Sequence, residues 1–162
     1  MKKLQCLNWH DVLFLLNTGY FKYKDAVEYA KIVIGDIPEH EEALTELLLF
    51  SPIEIKNGTL VKEHVVKLAN NIDEFSKQQS FDKIMFLLLS WIYDHKDQFD
   101  EPLDLVALAV MDFGYPELTE KLCHPYSLKE DEFNAVYRDW ERYLRDEAQR
   151  WGRGIVFEFP LQ

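Results

Sequence analysis

The stretch Ser51-Pro52-Ile53-Glu54-Ile55-Lys56-Asn57-Gly58-Thr59-Leu60-Val61-Lys62 admits two readings, and the fold class turns on which is taken. Ser51 with Glu54 three residues on has the spacing of a capping box, which starts a helix and suits a proline at its first position. Asn57-Gly58 between two short apolar-polar runs has the form of a two-residue hairpin, because a type I′ turn needs positive φ at both central residues. As a hairpin, the turn sets Lys56 opposite Thr59 and Ile55 opposite Leu60; as a helix, the run from Pro52 is ended by Gly58 after barely two turns. The hairpin over residues 53–62 is the preferred reading. A lone hairpin is marginal in water, and the β-branched and aromatic run Gly154-Ile-Val-Phe-Glu-Phe-Pro160, in an extended tail over 152–162, supplies a candidate third strand.

Outward from this stretch the pattern is helical. Asn8 caps a first helix to Asn17 with Val12, Leu13, Leu15 and Leu16 apolar, and Gly19 stands ready for a left-handed end. A second helix spans about Lys24 to Ile34, and a third runs from Pro38 to Phe50 with Leu44, Leu47 and Leu48 inward. Beyond the hairpin, helix resumes at about Glu63 to Asn70, and a polar connection leads to Ser80, the expected cap of a helix from Phe81 to Asp97. That helix and the next, Leu103 to Phe113, are apolar on most sides and are expected at the centre. A short helix at about Pro116 to Cys123 precedes the longest one. Ser127 and Glu130 form its capping box, and Phe133, Val136, Tyr137, Trp140, Leu144, Ala148 and Trp151 recur along it at helical steps. The expected fold is therefore mainly α: a single-domain orthogonal bundle over 1–162, of about seven or eight helices with one small hairpin.

A length of 162 residues fits one domain. With 48% hydrophobic residues, 6 Gly and 6 Pro, disordered and collagen-like classes are excluded. Cys6 and Cys123 lack paired spacing and read as free thiols of a reducing cytoplasm. Lys2-Lys3 is followed by no signal-peptide pattern, and the apolar run from Ile84 to Tyr93 is about half of a membrane span. A cytoplasmic protein is expected.

The net charge of −11 disfavours nucleic acid and anionic membranes as partners and makes a basic protein the natural complement. All five arginines lie in the last 25 residues, balanced there by five acids, so residues 1–137 carry 13 Lys against 24 acids, hence 13 − 24 = −11. Two base-free acidic blocks stand out. Asp36, Glu39, Glu41, Glu42, Glu46 and Glu54 fill one; Asp97, Asp100, Glu101, Asp104, Asp112, Glu117 and Glu120 fill the other. Glu39, Glu42 and Glu46 share a helix face, where their mutual repulsion costs only about 0.2–0.5 kcal/mol per pair. With Asp36 they are the candidate partner-binding residues, weighed against a merely solvated face.

Catalytic motifs find no positive support. The five histidines, His10, His40, His64, His95 and His124, lack metal spacing; His10-Asp11 reads as a polar pair in a helix's first turn, and Cys123-His124 as adjacent side chains that point apart. The acids Asp94, Asp97, Asp100, Glu101 and Asp104 lack the glycine and bidentate Glu of a calcium loop, and Pro102 interrupts them. No phosphate loop or dinucleotide fingerprint is present, and no cofactor or metal is expected. The aromatic stripe of the last helix reads as core, and its near-balanced charge argues against base stacking.

The order of features resembles a family. Trp9 opens the first helix, Asn17-Thr-Gly-Tyr20 ends it, an acidic Glu/Leu helix follows, and Asp112-Phe-Gly-Tyr-Pro116 precedes an aromatic-rich last helix. Over most of the chain this resembles an uncharacterised family of small acidic bacterial proteins, a domain of unknown function associated with toxin-immunity loci. The resemblance implies a non-enzymatic immunity protein that neutralises a bacterial toxin domain, and it transfers no catalytic residue. The competing classes are an acid-rich regulatory or interaction module unrelated to toxins and an unrecognised enzyme.

Overall fold

The computed structural model describes residues 7–34, 42–112 and 129–151. Eight α-helices and no strand occur among them: α1 (Trp9–Thr18), α2 (Tyr23–Val33), α3 (Glu42–Leu49), α4 (Pro52–Asn57), α5 (Thr59–Asn70), α6 (Glu74–Asp94), α7 (Pro102–Asp112) and α8 (Glu130–Trp151). A 3-10 turn, Lys96–Gln98, follows α6. The chain divides into two compact units, with the division inside α6 between Ser80 and Phe81. Among the described residues no helix is long and apolar enough to cross a membrane.

The expected hairpin over 53–62 does not form; α4 and the start of α5 occupy those residues. Capping bonds hold the chain in helix on both sides of Gly58. The Ser51 N–H and hydroxyl donate to Glu54 Oε2 at 2.8 and 2.7 Å, and the Glu54 N–H donates back to Ser51 Oγ at 3.4 Å. These donors, the hydroxyl first, hold the Glu54 carboxyl below its ordinary range. Gly58 then turns the chain once, at φ +79°, and its N–H closes α4 on the Glu54 carbonyl at 3.0 Å. Its own carbonyl accepts the Lys62 N–H at 2.9 Å, so one residue ends α4 and begins α5. A type I′ hairpin would need positive φ at Asn57 too, but Asn57 is the last residue of α4. The decisive signal was longer in range: Val61, His64, Val65, Leu68 and Ala69 form an unbroken buried stripe at helical spacing, and Val61 belongs to it rather than to a strand, while Leu60 stays exposed. The proposed third strand at 155–159, the helix at 116–123 and the Ser127 cap lie outside the described residues.

In the first unit α5 is the hub, packing against α1, α2, α3 and α4. Asn8 caps α1 as expected, its Oδ1 accepting the Asp11 N–H at 2.9 Å while Asp11 accepts the Asn8 N–H at 2.7 Å. Asp11 thus completes the first turn, the role read for His10-Asp11. Gly19 ends α1 at φ +83°. Trp9 meets Tyr29 edge to face at 4.9 Å, and the buried Tyr29 hydroxyl donates to the Leu7 carbonyl at 2.7 Å, tying α2 to the entry of α1.

Ser80 is not a cap. Asp73 starts α6 instead, its Oδ1 accepting the Ser76 N–H at 2.9 Å and its Oδ2 the Ser76 hydroxyl at 2.7 Å, which lowers the Asp73 pKa. Ser80 sits buried six residues into the helix and donates to the Ser76 carbonyl at 3.3 Å. Residues 74–79 fell in a polar connection read over Asn71 to Gln79, with room for one further turn, because Phe75 alone among the six is apolar, yet Glu, Lys and Gln are good helix formers.

The second unit packs α6, α7 and α8 around Met85, Leu89, Ile92, Leu103, Val106, Val110, Val136 and Trp140. Both helices expected at the centre contribute to this core, and of the α8 stripe Val136 and Trp140 are in it with Phe133, Tyr137 and Leu144 packed against it, whereas Trp151 is half-buried and donates from Nε1 to Glu147. Trp140 is fully buried, with the Tyr93 ring edge-on at 5.1 Å. The charges of α8 are engaged both along the helix and across to α6: Arg142 pairs with Asp139 at 3.6 Å and Arg150 with Glu147 at 3.7 Å, while Glu141 accepts from the Tyr93 hydroxyl and Arg150 reaches Asp82 at 2.9 Å.

Two outcomes follow. A Cβ added at Gly58 would lie 2.0 Å from Tyr23 Cε2, whereas one added at Gly19 meets nothing within 4 Å. Gly19→Ala should therefore cost about 1 kcal/mol of left-handed strain, and Gly58→Ala roughly 2–4 kcal/mol, because about 1–3 kcal/mol of overpacking is added. Urea unfolding checks this, and Tyr23→Ala should recover part of the Gly58→Ala loss; equal costs for the two glycines would contradict the packing. The hydrogen bond to Glu141, then burial and the charges of Glu141 and Asp94, push the Tyr93 phenol up to about 12. The folded chain holds that proton more tightly than the unfolded chain, whose tyrosines titrate near about 10. This stabilisation is complete below pH about 10 and is lost between about 10 and 12. Carbon-detected NMR titration should show Glu141→Gln bringing Tyr93 back toward the ordinary value.

Candidate functional site

Of the four sequence-chosen acids, Glu42 and Glu46 lie on α3, and Asp36 and Glu39 lie outside the described residues. The α3 core face is Leu44 and Leu47, both fully buried. The opposite face presents Glu42, Thr45, Glu46 and Leu49 to solvent. Leu49 is 78% exposed and Ile53, just beyond at the start of α4, is 82% exposed. The candidate face was chosen on its acids alone: Leu44, Leu47 and Leu48 were read as inward, Leu49 was given no role, and Ile53 was read as the start of the hairpin.

Glu46 has a second role. Its Oε2 lies 2.7 Å from Nε2 of His64, whose Nδ1 lies 2.8 Å from the Leu60 carbonyl. Both ring nitrogens of this buried histidine thus meet oxygen acceptors, and Phe50 closes on its ring edge to face at 5.0 Å. The contact pins α3 to α5, so the exposed face of α3 is held on a fixed support. His64, read from sequence as one of five scattered histidines, is a structural clamp between two helices.

The second acidic block is only partly described. Asp97, Asp100 and Glu101 are exposed and Asp104 half-buried, in the second unit. Among the described residues no three His, Cys, Asp or Glu side chains converge as metal ligands.

The first unit also carries a groove that sequence reasoning missed. It has a volume of about 750 Å³ and lies between the α1–α2 turn, the first two turns of α2, and α4. Its wall is apolar and its rim carries lysines, an inversion of the chain's overall sign. A smaller groove of about 460 Å³, lined by Thr59, Lys62, Glu63, Val66 and Lys67, also borders Tyr23. No spacing rule could have found the larger one, because its residues come from three segments between 16 and 56 that only the fold assembles.

No curated protein and no solved structure matches the chain. A family model described as an uncharacterized protein conserved in bacteria, DUF2247, matches residues 1–148, and the chain belongs to that family.

Proposed function

We propose that this chain is a non-enzymatic acidic binding protein that docks a basic protein through the outer face of α3, its partner being a bacterial toxin domain that it neutralises. The observation that carries the reading is the make-up of that face, where Glu42 and Glu46 share the exposed side of α3 with the bare Leu49, and the equally bare Ile53 follows four residues further on, at the start of α4. Exposed large apolar groups gathered at one place are anchors for a partner, and flanking charges form the polar rim that aligns it. The net charge of −11 supplies a field that attracts a basic protein from a distance. The toxin assignment rests on the immunity setting that the family resemblance implies, and Asp36 and Glu39 join the proposed face from sequence.

Steering by such a face acts on the association rate and fades as salt shortens the Debye length from about 10 Å at 0.1 M to about 3 Å at 1 M. Buried apolar anchors act mainly on dissociation. A photo-crosslinking residue at position 49 or 53 in the native host should capture a basic protein. With that partner purified, Glu42→Lys should slow association several-fold at 0.1 M salt and little at 1 M, whereas Leu49→Ser should speed dissociation about tenfold or more. Glu46 is left intact, because it holds His64. Crosslinking only from the likewise exposed Leu108 of α7, or an association rate indifferent to Glu42→Lys, would overturn the proposal.

A further inference from the structure

We propose that the groove between the α1–α2 turn and α4 binds a small amphipathic anion: an apolar body ending in one carboxylate or phosphate. Leu16, Phe21, Tyr23, Val27, Pro52 and Ile55 line it, presenting an apolar wall from three separate segments. Its volume of about 750 Å³ falls within the range of small-molecule sites, about 300–1,000 Å³. Around that wall stand Lys22, Lys24, Lys31 and Lys56, all exposed, and the one acid that lines it, Glu28, is matched by Lys31 at 2.8 Å. Asp25, nearby on α2, is committed to the Lys22 backbone N–H at 2.7 Å. Three ammonium groups, those of Lys22, Lys24 and Lys56, have no ion-pair partner among the described residues. In a chain of net charge −11, a rim with this surplus selects an anionic head, and the wall selects an apolar tail.

The groove is also preformed. The Tyr23 ring lies against Gly58, in space that a Cβ there would fill, so the wall is fixed by the same packing that sets the angle of α4 on α5. A site whose walls are set before binding loses little freedom on occupation. An acidic amphipathic peptide would meet the same charges, but a small ligand is favoured because the groove's volume of about 750 Å³ is that of a small-molecule site. This inference is independent of the α3 face.

The test uses the whole chain with isotope-labelled methyl and tyrosine groups. Decanoate, decyl phosphate, decanol and decyltrimethylammonium are titrated below their micelle concentrations. Saturable shifts at Tyr23, Val27 and Ile55 with decanoate or decyl phosphate are expected, at least about tenfold tighter than with the neutral or cationic probe. The tighter of the two anions then fixes the head group. The triple variant Lys22→Gln, Lys24→Gln, Lys56→Gln, exposed throughout and so neutral to folding, should weaken anion binding about tenfold or more and leave decanol unchanged. Equal binding of all four probes, shifts mapping away from Tyr23, no saturation, or indifference to the triple variant would each overturn the proposal. Binding of an acidic helical peptide without binding of either small anion would overturn it too.

Discussion

The contact of the Tyr23 ring with Gly58 is the constraint on which the first unit depends. Gly58 carries the one left-handed turn between α4 and α5, and no side chain fits there because Tyr23 occupies the space. That turn sets the direction of α5, and α5 is the element on which α1, α2, α3 and α4 all pack. It also fixes Ile55 and Lys56 across the groove from α2. A glycine that elsewhere would be a permissive joint is here a site of close approach, and its effect reaches α1, α2, α3 and α4 through α5.

The electrostatics of the chain are sorted by local structure rather than spread evenly. Acids cap helix starts at Asp11, Asp25, Glu54 and Asp73, where the partial positive charge of the unpaired N–H groups stabilises them. Glu46 and Glu141 are drawn into contacts with His64 and Tyr93, each linking two helices. What is left over on α3 is an acidic face with bare apolar side chains, and what is left over near α4 is a lysine rim around an apolar wall. Opposite signs at two places in one unit let one small protein offer surfaces to two different chemistries.

Much of this was legible in the residue order. Asn8 and Gly19 bracket α1 because capping chemistry is local, and the apolar runs of α6 and α7 mark the second core because they are apolar on most sides, which only a buried helix can be. The segment 53–62 was misread because its two local signals, a capping box and an Asn-Gly pair, point to different structures. The tie is broken by the stripe from Val61 to Ala69, which only counts once His64 is allowed to be buried by a partner eighteen residues upstream. Ser80 was misread for the converse reason: it resembles a cap, but Asp73 lies earlier and is paired with Ser76. Of the acidic face, Glu42 and Glu46 were legible as a pair at helical spacing, whereas the clamp to His64 and the exposure of Leu49 are tertiary facts. The groove was illegible altogether, since Leu16, Val27 and Ile55 carry no shared pattern.

The account's central claim is that Gly58 joins two helices beneath the Tyr23 ring, and nuclear magnetic resonance of the intact protein tests it most directly. Helical Cα shifts should run through Ile53–Lys56 and again through Leu60–Lys62, with the Gly58 α-protons displaced upfield by the aromatic ring and linked to Tyr23 by nuclear Overhauser contacts. Cross-strand contacts between Lys56 and Thr59 and between Ile55 and Leu60, with extended-chain shifts on both sides of Gly58 and no contact to Tyr23, would contradict it.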